Sequence, residues 1–160
     1  MEIIKLNAEV KVYDNESILP LLDKELLEIA IEQLEFAYAP YSKFRVGAAV
    51  RLLDGTVFPG SNQENASYPL CMCGERVALY NAAANKPSVA PATLAIVIKN
   101  EVKPIDKPVS PCGACRQVIA EFEHRYQQPI RILLKSDASK VYEIQSIKDI
   151  LPLGFDASFL

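Results

Sequence analysis

Helical periodicity first emerges over residues 21–38, after a weakly patterned stretch at residues 1–19. One face of this segment is apolar, and the opposite face carries four glutamates: Glu25, Glu28, Glu32 and Glu35. The helix is predicted to end near Pro40, because proline disfavours helical geometry at the residue before it. In residues 1–19, the alternation of Val10 and Val12 with polar residues indicates no more than an edge strand.

Alternation with a period of two predicts the strands of a sheet. Apolar side chains occupy every second position of residues 46–52, and the following Asp-Gly pair is a strong hairpin signal that leads into residues 56–60. The run ATLAIVIK, residues 92–99, is rich in apolar and β-branched side chains, which predicts a central strand buried on both faces. Two further strands are predicted at residues 130–135 and 141–145.

Three more helices are predicted from the residues at their ends. Residues 73–84 form one helix, which closes near Asn85. Another begins at Ser110, a good N-cap, with Pro111 at the favoured first helical position. Ser146 caps a short last helix that ends at Pro152.

The predicted order of elements, α-β-β-α-β-α-β-β-α, defines the fold class. Such alternation gives an α/β fold with helices on both sides of a mixed sheet, here a three-layer α/β/α domain with five strands. A chain of 160 residues is long enough to bury a core of its own. We therefore expect a single domain over residues 1–160, with an N-terminal extension at residues 1–19.

The composition of the chain limits the classes of molecule that it is expected to bind. The formal net charge is −3 and no run of lysine and arginine occurs, which argues against nucleic acid as a partner. The longest clean apolar stretch, residues 92–98, is far too short to span a bilayer, and the first ten residues show no export signal. We expect a cytoplasmic protein without a membrane partner, in which clustered cysteines bind metal rather than form disulfides.

Four cysteines fall in two pairs, CMC at residues 71–73 and CGAC at residues 112–115, and each pair lies at a predicted helix start. The free N–H groups and the dipole of a helix start favour thiolates, the form that binds metal. Cys112 and Cys115 are three residues apart and share a helix face, so both can bind one metal ion. Cys73, from the other helix, would supply a third sulfur. Three sulfurs leave a tetrahedral zinc with one open position, as in catalytic sites.

Two charged residues beside Cys73 favour a catalytic site. Zinc in an open site lowers the pKa of a bound water to about 7. Glu75 is a natural acid and base for such a water. Three thiolates make the cluster anionic, and Arg76 would offset this charge by donating to a ligand sulfur, so we assign it a supporting role around the metal.

Simpler interpretations compete with this one. A Cys-x-x-Cys pair is often redox-active or structural, and all four cysteines, Cys71 included, would suit a closed zinc site. A glutamate in the first turn of a helix commonly serves the helix dipole, and its neighbouring arginine is commonly solvated.

The joint pattern C-x-E…P-C-x-x-C resembles the zinc nucleobase and nucleoside deaminases. More narrowly, the chain is similar to the small, homotetrameric cytidine deaminases with three zinc cysteines. The similarity covers roughly residues 22–155, and it rests on four stretches in the family's order: YAPYSKFRVGAAV (38–50), GSNQENASYPLCMCGER (60–76), SPCGACRQVIAEF (110–122) and LPLGF (151–155).

The resemblance implies roles at the reacting centre. Cys73, Cys112 and Cys115 would hold one Zn²⁺ per subunit, and Glu75 would shuttle the proton. The backbone N–H of Gly74 would contact the reacting edge of the pyrimidine, although the family usually has alanine there.

The resemblance also implies roles in substrate binding. Asn62 and Glu64 would hold the ribose hydroxyls, and Phe44 would stack near the pyrimidine. Tyr68 and Phe155 match positions that contribute to sites across subunit interfaces. Each of these residues also has a purely structural alternative, in turns or in packing.

The implied activity is zinc-dependent hydrolysis of cytidine and 2′-deoxycytidine to uridine and 2′-deoxyuridine, with release of ammonia, by a homo-oligomer, expected to be a tetramer. One alternative is a related deaminase that acts on adenosine in RNA, on a nucleotide or on an aminonucleoside antibiotic. Another is a non-catalytic zinc module with four cysteine ligands. The resemblance does not account for residues 1–19.

Overall fold

A computed structural model describes residues 1–138 and 140–160 of the chain. The three α-helices are α1 (Leu21–Glu32), α2 (Gly74–Asn85) and α3 (Gly113–Tyr126). The six strands are β1 (Lys11–Tyr13), β2 (Phe44–Leu52), β3 (Val57–Ser61), β4 (Pro91–Asn100), β5 (Arg131–Lys135) and β6 (Val141–Ile144). Short 3₁₀ turns occur at Glu16–Ile18, Gln33–Phe36, Tyr68–Leu70, Ile147–Asp149 and Ala157–Phe159. None of the helices in these ranges is long and apolar enough to cross a membrane.

The strands form one mixed sheet in the order β1-β6-β5-β4-β2-β3. Only β4 and β5 pair in parallel among the strand pairs of the described residues, because α3 carries the chain back across the sheet between them. In the described residues the sheet therefore has six strands, and the prediction of five is wrong. The sixth is β1, which pairs with β6 at the edge of the sheet, where the alternation of Val10 and Val12 had indicated an edge strand.

The two faces of the sheet bury separate apolar clusters. Alternate residues of β2 point to opposite sides, so that Ala48 contributes to the cluster beneath α2 and α3, whereas Ala49 contributes to the cluster beneath α1. Two glycines allow the helices to approach the sheet closely. A Cβ atom on Gly47 would lie 2.0 Å from the Ala30 carbonyl oxygen in α1, and one on Gly60 would lie 2.4 Å from the Ala78 nitrogen in α2. The predicted mixed sheet with helices on both sides is confirmed.

Helix boundaries differ from prediction where tertiary contacts decide them. The predicted helix at residues 21–38 changes to a 3₁₀ turn after Glu32. The start predicted at Ser110 is wrong, because α3 begins at Gly113 with Cys112 as its N-cap. The predicted last helix is a single 3₁₀ turn, although its predicted cap is confirmed: the Ser146 hydroxyl accepts a hydrogen bond from the Lys148 N–H.

A buried ionic network fastens β1 to the rest of the sheet. The carboxylate of Glu143 in β6, only 4% exposed, accepts a hydrogen bond from the Tyr13 hydroxyl at 2.8 Å and pairs with Arg131 at 3.5 Å. Arg131 also pairs with Asp23 of α1, which in turn lies 3.0 Å from the Arg51 guanidinium. Burial raises the pKa of Glu143, but the Tyr13 hydrogen bond and the Arg131 charge outweigh this and hold the pKa below its usual value.

Replacing Tyr13 by phenylalanine should lower the free energy of unfolding by about 1–2 kcal/mol, because a buried carboxylate loses a hydrogen bond. Since the pKa of Glu143 is depressed in the folded protein, this stabilisation is present at neutral pH and is lost as the pH falls through the folded-state pKa. Denaturant unfolding at several pH values measures it. The matched control is Tyr80→Phe at an exposed ring on α2, and an equal loss in both variants would contradict the assignment.

Candidate active site

Three cysteine sulfurs meet where α2 and α3 begin. Cys73 is the N-cap of α2, Cys112 is the N-cap of α3, and Cys115 lies in the first turn of α3. The Sγ atoms of Cys73 and Cys112 are 3.9 Å apart, those of Cys112 and Cys115 are 3.3 Å apart, and all three lie within 4.8 Å of one another. The positive dipole ends of both helices therefore point at the three sulfurs, and this favours the thiolate form of the cysteines.

The cluster has the dimensions and the donor chemistry of a zinc site. Zn–S bonds of about 2.3 Å in a tetrahedron separate the sulfurs by about 3.8 Å, close to the spacing seen here. Soft thiolate donors select zinc over hard cations such as magnesium. These three residues fit one Zn²⁺ and leave a fourth coordination position for another ligand.

Cys71 is engaged elsewhere. Its Sγ accepts a hydrogen bond from the Asn65 N–H at 3.2 Å and lies 3.6 Å from the Asn65 carbonyl oxygen. In the part of the chain that the structure describes, the sulfur cluster contains the other three cysteines and not Cys71. This arrangement favours three sulfur ligands over the closed site with four.

Arg76 contacts the cluster as its position after Glu75 suggested. Its Nη2 donates to Cys73 Sγ at 3.7 Å and to the Cys71 carbonyl oxygen at 3.4 Å. Hydrogen bonding with Cys115, together with that from Arg76, lowers the pKa of the Cys73 thiol to about 5 despite its burial. Arg76 thus stabilises the anionic form of a sulfur that would bind the metal.

Glu75 is a buried carboxyl group beside the sulfurs. It is 4% exposed, and within residues 1–138 and 140–160 its Oε2 has no hydrogen-bond partner. Burial raises the pKa of Glu75, and the negative charge of Cys73 raises it further. A carboxyl group whose pKa is raised above its usual value is better suited to both accepting and donating a proton.

A cavity of about 390 Å³ opens above the cysteines. Six of the site residues expected from the sequence line it together: Phe44, Asn62, Glu64, Cys73, Glu75 and Cys112. The remaining walls are largely apolar, and they include Ile96 and Ile98 of β4, which the sequence analysis did not single out. Their two-residue spacing on a strand was the available signal, because it places both side chains on the face covered by α2 and α3.

The polar residues of the cavity are held by the backbone. The side-chain oxygen of Asn62 accepts from the Val46 N–H at 2.8 Å, and its amide donates to the Phe44 carbonyl oxygen at 2.9 Å. Glu64 Oε2 accepts from the backbone N–H groups of Tyr41 and Ser42 at 2.9 and 3.3 Å. Burial raises the pKa of Glu64, but hydrogen bonding from the Ser42 side chain and from these two backbone groups outweighs it and keeps the pKa below the usual value. Glu64 is thus a negatively charged carboxylate whose orientation is fixed by hydrogen bonds to the backbone.

Gly74, the first residue of α2, lies tightly against the loop that carries Asn62. A Cβ atom at Gly74 would be 2.9 Å from the Val46 carbonyl oxygen and 3.3 Å from the Asn62 nitrogen. The absence of a side chain at Gly74 therefore lets the start of α2 lie close to the backbone of Val46 and Asn62.

Tyr68 and Phe155, which were also expected at the site, belong neither to the cavity wall nor to the sulfur cluster in the described residues. Tyr68 is 70% exposed, and its ring meets Tyr41 edge-on at 6.0 Å. Phe155 is 57% exposed and stacks on Phe159 at 5.7 Å. A single chain does not bring either ring to the cysteines.

Cysteine variants test how many sulfurs hold the metal. Cys71→Ser should retain one zinc per chain, because Cys71 bonds to Asn65, whereas Cys73→Ser should lose most of its zinc. Metal analysis after dialysis against a weak chelator measures both. Loss of zinc from Cys71→Ser would support four sulfur ligands instead.

Arg76→Gln should weaken zinc binding about 10- to 100-fold, because a ligand sulfur loses its charged hydrogen-bond donor. Protons would then compete better for Cys73, so the pH at which half the protein holds zinc should rise. Competition with a chromophoric chelator across a pH series gives both quantities. Arg76→Lys, which keeps the positive charge, should lie between the wild type and Arg76→Gln, and identical affinities in all three would contradict this role.

Comparison with known proteins agrees with this geometry. Residues 21–127 match the family model described as the cytidine and deoxycytidylate deaminase zinc-binding region. The cytidine deaminase of Halalkalibacterium halodurans is 39% identical over 137 residues, which is 85% of this chain and 96% of that protein. That of Sporosarcina psychrophila is 51% identical over 121 residues, or 76% of this chain and 82% of that protein.

Solved structures give the same result. The crystal structure of cytidine deaminase from Burkholderia pseudomallei superposes with a TM-score of 0.72 at 41% identity, and the match covers 82% of this chain and 98% of that one. The cytidine deaminase structure from Mycobacterium tuberculosis gives a TM-score of 0.64 at 28% identity, covering 83% and 96%. With its three-cysteine cluster and buried glutamate, this chain therefore belongs to the cytidine and deoxycytidylate deaminase family.

Proposed function

We propose that this protein is a zinc-dependent hydrolase that converts cytidine and 2′-deoxycytidine to uridine and 2′-deoxyuridine and releases ammonia. The observation that carries this proposal is the buried carboxylate oxygen of Glu75, which has no hydrogen-bond partner among the described residues and lies in the same cavity as Cys73 and Cys112. The similarity to curated cytidine deaminases supports the substrate class.

In the proposed mechanism, Glu75 moves the protons. Cys73, Cys112 and Cys115 would hold the zinc, which would supply the nucleophile by lowering the pKa of a water molecule to about 7. Glu75 accepts a proton from this water and delivers it to N3 of the pyrimidine as oxygen adds at C4. It then takes the second proton from the hydroxyl group now on C4 and passes it to the amino group, which leaves as ammonia when the C4–N bond breaks. The raised pKa of Glu75 suits both directions of transfer.

The cavity would hold the nucleoside by its sugar and by its base. Glu64 uses Oε2 for the backbone of residues 41 and 42, and its other oxygen would accept hydrogen bonds from ribose hydroxyls. Asn62 would contribute the second N–H of its amide, since the first donates to Phe44. Phe44 would pack against the base, and the backbone N–H of Gly74 would contact its reacting edge.

A free nucleoside is favoured over a phosphorylated substrate. A carboxylate at the sugar end of the cavity, such as Glu64, repels phosphate, and the net charge of −3 is unfavourable for RNA. The four-cysteine zinc module is disfavoured because Cys71 bonds to Asn65 and leaves the sulfur cluster with three members.

We also propose that residues 1–160 work as one domain in the cytoplasm, within a homotetramer. Exposed apolar side chains support assembly, among them Tyr68, Leu70 and Phe155, each more than half exposed. In this arrangement Tyr68 and Phe155 would complete the cavity of a neighbouring copy, which would account for their position outside the cavity of their own chain.

The direct test is turnover by the zinc-loaded protein. Cytidine should give uridine and 2′-deoxycytidine should give 2′-deoxyuridine, each with an equal amount of ammonia. Cytidine monophosphate and a structured RNA should not be converted. Glu75→Gln should bind zinc normally but lose about 10²- to 10⁴-fold in kcat, because the proton shuttle is removed. Failure of the wild type to act on either nucleoside, or full activity in Glu75→Gln, would refute the proposal.

A further inference from the structure

The side chain of Arg116 turns back from α3 to the segment that carries Cys112. Arg116 directly follows Cys115, and its guanidinium reaches three acceptors in two parts of the chain. Its Nε donates to the Pro111 carbonyl oxygen at 2.8 Å, its Nη2 donates to the Ser110 hydroxyl at 3.0 Å, and its Nη1 donates to the Ile150 carbonyl oxygen at 2.8 Å.

The segment at residues 110–112 has few other means of fixing its shape. It lies outside any helix or strand, and Pro111 has no N–H group to donate. Cys112 is exposed, and within the described residues its side chain forms no cap on α3. The Arg116 contacts are therefore well placed to hold Cys112 at a fixed distance from Cys115, whose own position is set by the buried face of the helix.

The third acceptor, Ile150, belongs to a firmly held segment. The buried carboxylate of Glu123, near the other end of α3, accepts from the Ile147 N–H at 3.0 Å and from the Ser146 hydroxyl at 2.7 Å. The same carboxylate accepts from the Ile130 N–H at 2.9 Å. Arg116 thus connects residues 110–112 to the segment at residues 146–150, which is hydrogen-bonded to Glu123 of the same helix.

We propose that Arg116 is a positioning residue for the metal centre, because it preorganises the turn that presents Cys112. The inference rests on the three-cysteine zinc site. When the three sulfurs are already close together, less ordering is needed on metal binding, so the affinity is higher. Arg116 differs from Arg76 in acting through backbone and hydroxyl acceptors, whereas Arg76 donates to a sulfur.

The test measures zinc dissociation constants by chelator competition, together with the melting temperature of each metal-free protein. Arg116→Gln should weaken zinc binding about 10- to 100-fold. Arg116→Lys should recover part of the affinity, because a single ammonium can reach one acceptor but lacks the planar fork. In the cobalt-substituted protein, Arg116→Gln should also weaken the thiolate-to-cobalt absorption.

Two control variants lie on the same helix. Arg125→Gln removes an exposed guanidinium that packs over the Tyr126 ring, and Gln117→Ala removes the donor to the Phe155 carbonyl oxygen. Both should bind zinc as the wild type does. If the Arg116 variants fold poorly, Ser110→Ala tests the same contact with a smaller change, because it removes only the hydroxyl that accepts from Arg116. It should cost a few-fold in affinity and be less than additive with Arg116→Lys, because the two residues share one contact.

The outcomes separate this inference from the proposed function. A lower melting temperature of metal-free Arg116→Gln with an unchanged zinc dissociation constant would overturn the inference, since Arg116 would then serve the fold alone. Equal losses of zinc affinity in Arg116→Gln and Arg125→Gln would overturn it too. A wild type that binds zinc but does not convert cytidine would refute the proposed function, while the dissociation constants would still decide the role of Arg116.

Discussion

The start of α2 beside the start of α3, on one face of the sheet, is the constraint on which the site depends. Each helix start presents free N–H groups, and together they provide positive potential where thiolates must gather. The absence of a side chain at Gly60 lets α2 lie against β3, and the parallel pairing of β4 with β5 fixes the path of α3. The sulfur spacing therefore follows from how the helices pack on the sheet.

The same helix start gives Glu75 its chemistry. Glu75 is buried, and one of its carboxyl oxygens has no hydrogen-bond partner in the part of the chain that the structure describes, which costs folding free energy unless a ligand bonds to it. The paired backbone hydrogen bonds between Gln63 and Met72, at 2.8 and 2.9 Å, hold the Asn62 and Glu64 loop beside the residues that precede α2. The cysteine at the start of α2, Glu75 and the loop of Asn62 and Glu64 are thus joined by backbone hydrogen bonds.

The sequence predicted best where the local pattern and the tertiary structure agree. The continuous apolar run of β4 and the cysteines at both helix starts belong to this class. Ser110 has the chemistry of an N-cap, but its hydroxyl accepts from Arg116 and the helix begins later. The alternation of Val10 and Val12 gave only a weak signal for β1, because the pairing with β6 and the hydrogen bond from Tyr13 to Glu143 fix its three residues. The side chains of Tyr68 and Phe155 lie away from the cavity of their own chain, so a single copy does not test their proposed roles.

X-ray absorption spectroscopy at the zinc edge of the metal-loaded protein tests the central claim most directly, because it counts and identifies the atoms bound to the metal. The structure predicts three sulfurs at about 2.3 Å and one oxygen at about 2.0 Å. Addition of a nucleoside analogue should alter the oxygen shell and leave the sulfur shell unchanged. Four sulfurs and no oxygen would contradict the account, because the metal would then have no open position and Glu75 no water to act on.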